Sequence, residues 1–281
     1  MIRILLVLGI FLIGSFVGLE DAKAVDKNNQ QKMQYDVYAG GIHALKANLD
    51  MNLSEKNRYD ISLAAQTFGL LGKLAPWQGV FKTHGWKDLQ ANKPELHQSV
   101  AIWRDEEEIK KYRYKKDGSF NGYSVKDNEN DGSIQKIDDE LTQGTTDVLT
   151  ATLNTMNIIA AKNKCEGSSE IFDGKRRFKL VFKQKKEVQL EASKYNVYAG
   201  SAIECAVEVQ PVAGKWREKP RGWMSIQEQG RERGTMPTVW FAQMKEGHPA
   251  VPVKVRVKTN YGTLFMHMTK YHAGETKLAL K

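Results

Sequence analysis

Residues 45–65 read LKANLDMNLSEKNRYDISLAA. Apolar side chains fall at Leu45, Ala47, Leu49, Met51 and Leu53, and Lys46, Asn48, Asp50 and Asn52 stand between them. A period of two belongs to a strand with one wet face and one apolar face. After Ser54-Glu55-Lys56-Asn57 the alternation resumes as Tyr59, Ile61, Leu63 and Ala65 against Arg58, Asp60 and Ser62. The stretch is a long β-hairpin, and strands of this length suit the wall of a curved sheet or barrel.

The same pattern continues outward. Strand-like segments are expected around Val80–Trp86, Leu96–Arg104, Ile109–Tyr114 and Tyr123–Val125, then at Arg177–Lys183, Val188–Ala192, Ile203–Val209 and Val239–Met244. The charges of Lys110-Lys111-Tyr112-Arg113-Tyr114 read as those of a guarded edge strand. A final hairpin alternates Val251, Val253, Val255 and Val257 with Lys254, Arg256 and Lys258, turns at 259–262 and returns through Leu264–His272. One segment has helical spacing: Val148, Leu149, Leu153, Met156, Ile159 and Ala160, preceded by Thr145-Thr146-Asp147 as N-cap chemistry. Its apolar stripe needs a sheet to cover. The expected fold is mainly β (β-rich α+β): a curved antiparallel sheet or half-barrel packed on one principal helix at about 145–162. With no Pro/Ser linker and no shift in composition, residues 25–281 are expected to form a single domain.

The first residues point to export. Arg3 precedes an apolar run from Ile4 to Leu19, and Ala22-Lys23-Ala24 has the small-x-small form that a signal peptidase reads. The run is shorter than the roughly 20 residues a membrane-spanning helix needs. Cleavage after Ala24 is therefore expected, leaving a periplasmic mature chain that does not span the membrane. The formal charge of +9 stays with it, because the removed segment holds two cations and two anions. A basic exported protein meets anionic lipid, lipopolysaccharide or acidic polysaccharide more readily than nucleic acid. In that oxidising compartment Cys165 and Cys205 are expected to form a disulfide, with two free thiols as the alternative.

A phrase recurs 160 positions apart: YDVYAGGIHALKANL at 35–49 and YNVYAGSAIECAVEV at 195–209. Agreement stops after these positions, and nothing in the second half matches the helix. Two similar bends in one curved sheet account for it better than a duplicated domain, since glycine within a strand pattern marks a bulge or bend.

Short motifs along the chain resemble an exported bacterial family catalogued as domain of unknown function 3108. They are Tyr35-x-x-Tyr38-x-Gly40-Gly41-Ile42, Thr146-Asp147-Val148-Leu149-Thr150-Ala151, and Cys165 followed by Phe172-Asp173-Gly174-Lys175-Arg176-Arg177-Phe178. Tyr198-Ala199-Gly200 before Cys205, and Val251-Pro252-Val253-Lys254-Val255 before Tyr261-Gly262, complete the set. The resemblance implies an exported protein of unresolved function. It also implies a curved sheet similar to the periplasmic lipoprotein carriers, whose half-barrel holds acyl chains under a helical lid. It supplies no catalytic residues.

Chemistry-bearing patterns are few. Asp127, Glu129 and Asp131, followed by Asp138, approach the oxygen spacing of a Ca²⁺ loop. Position 12 is Asp where a bidentate Glu is wanted, and the flank reads as strand, so a polar turn fits as well. No histidine pair has metal-ligand spacing, and Met266-His267-Met268 on a strand turns its methionines to the core. No nucleophile motif is present, so neither an enzyme nor a cofactor is expected. Two surfaces remain. Phe68, Leu70, Leu71, Leu74, Trp77 and Phe81 form a dense apolar cluster, either a core plug or a lid over the concave face. Lys215, Trp216, Arg217, Lys219, Arg221, Trp223, Arg231 and Arg233 interleave cations with indoles, as an interfacial surface would, or as a solvated loop would. The expected function is a non-enzymatic cell-envelope protein holding a hydrophobic or amphipathic ligand, lipid- or lipoprotein-like, in the concavity. The alternative is an envelope assembly or scaffold factor that binds a protein, or an anionic polysaccharide or lipopolysaccharide, through the basic face.

Overall fold

The computed structural model describes residues 29–216, 223–259 and 262–280. The expected leader at 1–24, Arg217, Lys219 and Arg221 of the basic stretch, and the Asn260-Tyr261 turn lie outside the described residues, as does the side chain of Trp223.

A first meander contains β1 (Gln30–Ala39), β2 (Ile42–Asn52), β3 (Arg58–Thr67), α1 (Gly69–Leu74), β4 (Trp77–Trp86), β5 (Lys93–Trp103), β6 (Glu106–Tyr114), β7 (Phe120–Lys126) and β8 (Asp131–Gln135). After α2 (Asp139–Thr142) and α3 (Val148–Lys162), a second contains β9 (Glu166–Phe172), β10 (Arg176–Leu190), β11 (Gly200–Gly214), α4 (Trp223–Glu232), β12 (Thr238–Ala242), β13 (Val251–Thr259), β14 (Gly262–Ala273) and β15 (Thr276–Ala279). Pairing of β1 with β14 joins them into one antiparallel sheet whose edges are β8 and β9. The sheet curls without closing. Its two ends approach where Phe172 packs edge-on against Tyr112 and Tyr123, at 6.0 and 5.7 Å between ring centroids.

Alternation builds the inner face. Met33, Tyr35, Leu49, Met51, Tyr59 and Ile61 are buried together with Leu149, Leu153, Met156 and Ile159 of α3. Each such side chain contributes about 1.5–3 kcal/mol on burial. The helix starts where Asp147 accepts from the backbone N–H of Leu149 and Thr150, at 2.9 and 3.1 Å. It ends at Asn163 in the left-handed region, φ 53°. Tyr59 meets Thr150 at 2.6 Å and lies against Gly85, where any Cβ would stand 2.7 Å from the Tyr59 ring. The disulfide Cys165–Cys205, Cα–Cα 6.1 Å, ties the exit of α3 to β11.

Beyond Val207 the strand β11 parts from β12, and α4 fills the gap. Gln227 donates through Nε2 to the Val209 carbonyl at 2.7 Å and accepts the Val209 N–H at 2.5 Å, replacing a missing neighbour strand.

Several expectations need correction. β10 is one continuous strand where two were expected, with a register shift between Gln184 and Lys186. β11 runs on to Gly214. β6 is an interior strand between β5 and β7 and not an edge; Tyr112 and Tyr114 are buried while Lys111 and Arg113 face outward. The repeated phrase is not two similar bends. The first copy is β1 turning at Gly40 and Gly41, φ 58° and 87°. Residues 195–199 of the second form no strand and wedge between β13 and β14: the Val197 N–H donates to the Met268 carbonyl at 2.9 Å, and Asn196 Nδ2 donates to the Val253 carbonyl at 3.0 Å.

Candidate functional site

Register decides what the inner face offers above α3. Leu63 lies opposite Phe81 and Ala65 opposite Gly79, Met266 opposite Val37, and Val239 opposite Val255. Leu63, Ala65, Phe81, Val209, Val239 and Met266 pack on the core yet remain part-exposed. Toward Thr83 and Tyr59 the concavity is filled by α3; toward Trp77 and Trp103 the side chains of its apolar wall are only part-buried, Trp103 being 49 % exposed. Small residues deepen the wall, since Ala47, Ala65, Gly79 and Ala101 pair in succession across β2, β3, β4 and β5. Into that depth the Trp77 indole folds, 2.7 Å from where a Cβ on Gly79 would sit.

Beside the wall is a cleft of about 930 Å³ at the seam between the two sheet ends, lined by Lys110, Leu141, Lys175, Arg176, Lys215 and Trp216 among others. Trp216 connects the two regions. Its ring stands edge-on to Phe178 at 6.4 Å, and Phe178 packs on the core. The Arg176 guanidinium lies 4.6 Å over the indole and pairs with Asp173 at 2.7 Å. Lys110 reaches Glu108 at 2.5 Å. The cleft is a mouth of mixed charge, with Asp138, Glu140 and Asp173 set among its four cations, and Phe178 beside Trp216 leads from it to the core.

Under the floor lies a buried polar network. Asp147 accepts from Thr83 Oγ1 at 2.8 Å and lies 3.2 Å from His97 Nδ1; Thr150 Oγ1 donates to it as well. Burial pushes the Asp147 carboxyl up, but the charge of His97 and the hydrogen bonds from His97, Thr150 and Thr83 outweigh it and hold the group below the usual carboxylate range. Asp147 is 2 % exposed and His97 6 %, so the trio anchors α3 to β4 and β5 without reaching solvent.

The sequence-expected residues are dispersed. Trp77 and Phe81 belong to the inner wall. Phe68 turns to the outer face, where it packs on His43 at 4.4 Å under Lys46. Leu70, Leu71 and Leu74 sit on α1, which buries none of its residues, so the cluster is not a core plug. Lys215 and Trp216 line the cleft, whereas Arg231 is bound to Glu208 at 2.7 Å and Arg233 is exposed. Asp127 accepts from the Glu129 and Asn130 N–H groups of its own turn, and Asp131 opens β8. Among the described residues no three His, Cys, Asp or Glu side chains are grouped to hold a metal. Nor is any described helix long and apolar enough to cross a membrane. Sequence reading missed the wall itself, because its signal is the cross-strand register of Ala47, Ala65, Gly79 and Ala101.

A family model described as "Protein of unknown function (DUF3108)" matches residues 34–269. No curated protein matches the chain. Among solved structures it is similar to a beta-barrel-like protein of domain of unknown function DUF1849 from Brucella abortus, at 10% sequence identity and a TM-score of 0.48, covering 88% of this chain and 98% of that one.

Proposed function

This chain belongs to the DUF3108 family, and from that premise we propose that it is a non-enzymatic cell-envelope protein that holds an amphipathic, acyl-bearing ligand. The apolar part lies against the inner wall above α3, and the anionic head meets Lys175 and Lys215 at the seam cleft, where Lys110 and Arg176 are already paired with Glu108 and Asp173. The observation that carries this reading is the part-exposed wall of Leu63, Ala65, Phe81, Val209, Val239 and Met266. A dozen methylenes buried there would contribute about 10 kcal/mol before the entropy of ordering the chain is subtracted. The N-terminal leader pattern and the cysteine pair support export. A scaffold role for the basic face has less support, because Arg231 is engaged by Glu208 and Trp216 by Arg176.

Organic extraction of the exported, purified protein, followed by mass spectrometry, tests the reading together with titration by cis-parinaric acid. Expected are co-purifying acyl species and saturable probe fluorescence, weakened at least tenfold by Ala101→Phe at unchanged Tm. An empty extract and no saturable fluorescence would overturn it.

A further inference from the structure

The opposite face of the sheet carries a second, unrelated surface. Phe68 packs on His43 at 4.4 Å, His43 on Tyr38 at 5.0 Å, Tyr38 on Tyr195 at 5.1 Å, Tyr195 on His267 at 6.0 Å and His267 on Phe265 at 5.6 Å. Register explains the run. Tyr35 and Val37 point to the core, so Asp36 and Tyr38 point away from it; His267 lies opposite Asp36 and Phe265 opposite Tyr38. Cations flank the rings. Lys46 stands 4.1 Å over Phe68 and Lys194 5.0 Å over Tyr195. Lys254, opposite His267, sits 5.6 Å over Phe265 and 5.1 Å over Trp240, and Arg256 lies 5.3 Å over the same indole. The rings run from β2 across β1 to β14, two strand spacings or about 10 Å, and Lys254 and Arg256 continue the surface onto β13 over Trp240, which is itself 6 % exposed.

We propose that this outer face binds an acidic polysaccharide, its sugar rings lying along the aromatic run and its carboxylates meeting Lys194, Lys254 and Arg256. Sugar rings present C–H bonds on their faces and hydroxyls on their edges, which matches separated aromatic faces set among His, Lys and Asp side chains. An acyl chain or a bilayer would want a continuous aliphatic patch, and the exposed leucines of α1 lie beyond the end of the run. Charge complementarity points the same way. The local carboxylates are already engaged, Asp36 with His43 at 3.3 Å and Glu204 with Lys185 at 3.3 Å. Lys254 and Arg256 stand side by side on one strand face. Burial and the Arg256 charge hold the Lys254 pKa below the usual lysine value, and an anion between the two cations offsets their mutual repulsion. Arg256 Nε and His267 Nδ1 are buried without a hydrogen-bond partner.

Titration calorimetry of the full mature chain with tetragalacturonate tests the proposal, with a neutral oligosaccharide of equal length as comparator. Binding of the acidic oligomer alone is expected, weakening with salt. Tyr195→Ala, which removes a ring and no charge, and Lys254→Gln should each raise Kd at least tenfold. Lys116→Gln, which removes the same charge from a distant turn, should change it less than twofold. Equal loss in Lys116→Gln and Lys254→Gln, or none in Tyr195→Ala, would overturn the site and leave only attraction to the net charge; so would binding to anionic vesicles but not to the oligomer. Cis-parinaric acid binding should be unchanged in Tyr195→Ala, so failure here is separable from failure of the inner-wall reading.

Discussion

Tyr38 and Tyr195 meet edge to face on the outer surface, ring centroids 5.1 Å apart at 70°. They come from the two copies of the repeated phrase, but they are not equivalent members of it. Tyr35 is buried in the core at 2 % exposure while its counterpart Tyr195 is 40 % exposed; Tyr38 faces out while its counterpart Tyr198 is buried at 8 %. The copies thus present opposite faces, one as a paired strand and one as a wedge. A shared ancestral unit would place equivalent residues alike.

The wedge depends on Asn196, which is 5 % exposed. Its side chain donates to the Val253 carbonyl and accepts the Tyr198 N–H at 2.9 Å. Asn196→Ala leaves both groups buried and unpaired, so a loss of about 2–4 kcal/mol is expected. Urea unfolding measures it, and a loss under about 0.5 kcal/mol, the usual size for a surface change, would show that the wedge is dispensable.

Asp147 should make the fold acid-labile. Its carboxyl lies below the usual range when folded, so the unfolded chain takes up the proton first. The stabilisation is fully present above the unfolded value of about 4 and is lost as pH falls through the folded value. Asp147→Ala removes the cap and leaves Thr83 and His97 without their acceptor, at a cost of about 3 kcal/mol at neutral pH. The difference from the parent should shrink as pH falls from about 5 toward 2. A pH-independent difference would assign the effect to packing.

How much of this was legible beforehand follows from what alternation can encode. The hairpin at 45–65, α3 and the final hairpin have one wet face each, and their periods are plain. Along β10 the polar run Gln184–Glu187 includes the register shift and reads as a break. In β6 the charges of Lys111 and Arg113 suggested an edge, but they only show which way alternate residues face. In the repeated phrase, tyrosines three apart must take opposite faces of an extended chain, yet nothing local says which one is inside. The small-residue row of the inner wall and the outer aromatic run are assembled across strands, and the spacing within one strand carries no record of them.

Reduction should be slow and then damaging. Cys165 and Cys205 are both 0 % exposed and close a loop with a sequence separation of 40, for which chain entropy gives a stabilisation on the order of 4 kcal/mol. The intact mass should be lower by two hydrogens than that of the reduced chain. Dithiothreitol should leave it unchanged under native conditions and raise it in urea. Rapid native reduction would place the bond at an accessible surface.

His267 sets a second acid window, distinct from that of Asp147. Burial, and then the charge of Lys254 opposite, lower its pKa from 6.5 to about 4. The other groups against it are Asp36 across β1, already paired with His43, and the rings of Tyr38, Tyr195 and Phe265. The folded protein therefore resists a proton that the unfolded chain accepts. Stability is complete above pH 6.5 and declines as pH falls toward about 4. His267→Gln, which stays neutral throughout, should flatten that part of the profile while leaving the lower Asp147 window in place. Lys254→Gln should raise the His267 pKa, read from its ring proton shifts by NMR. Folded-state titration near 6.5 would mean that neither burial nor Lys254 acts on the ring, and the slope would have to arise elsewhere.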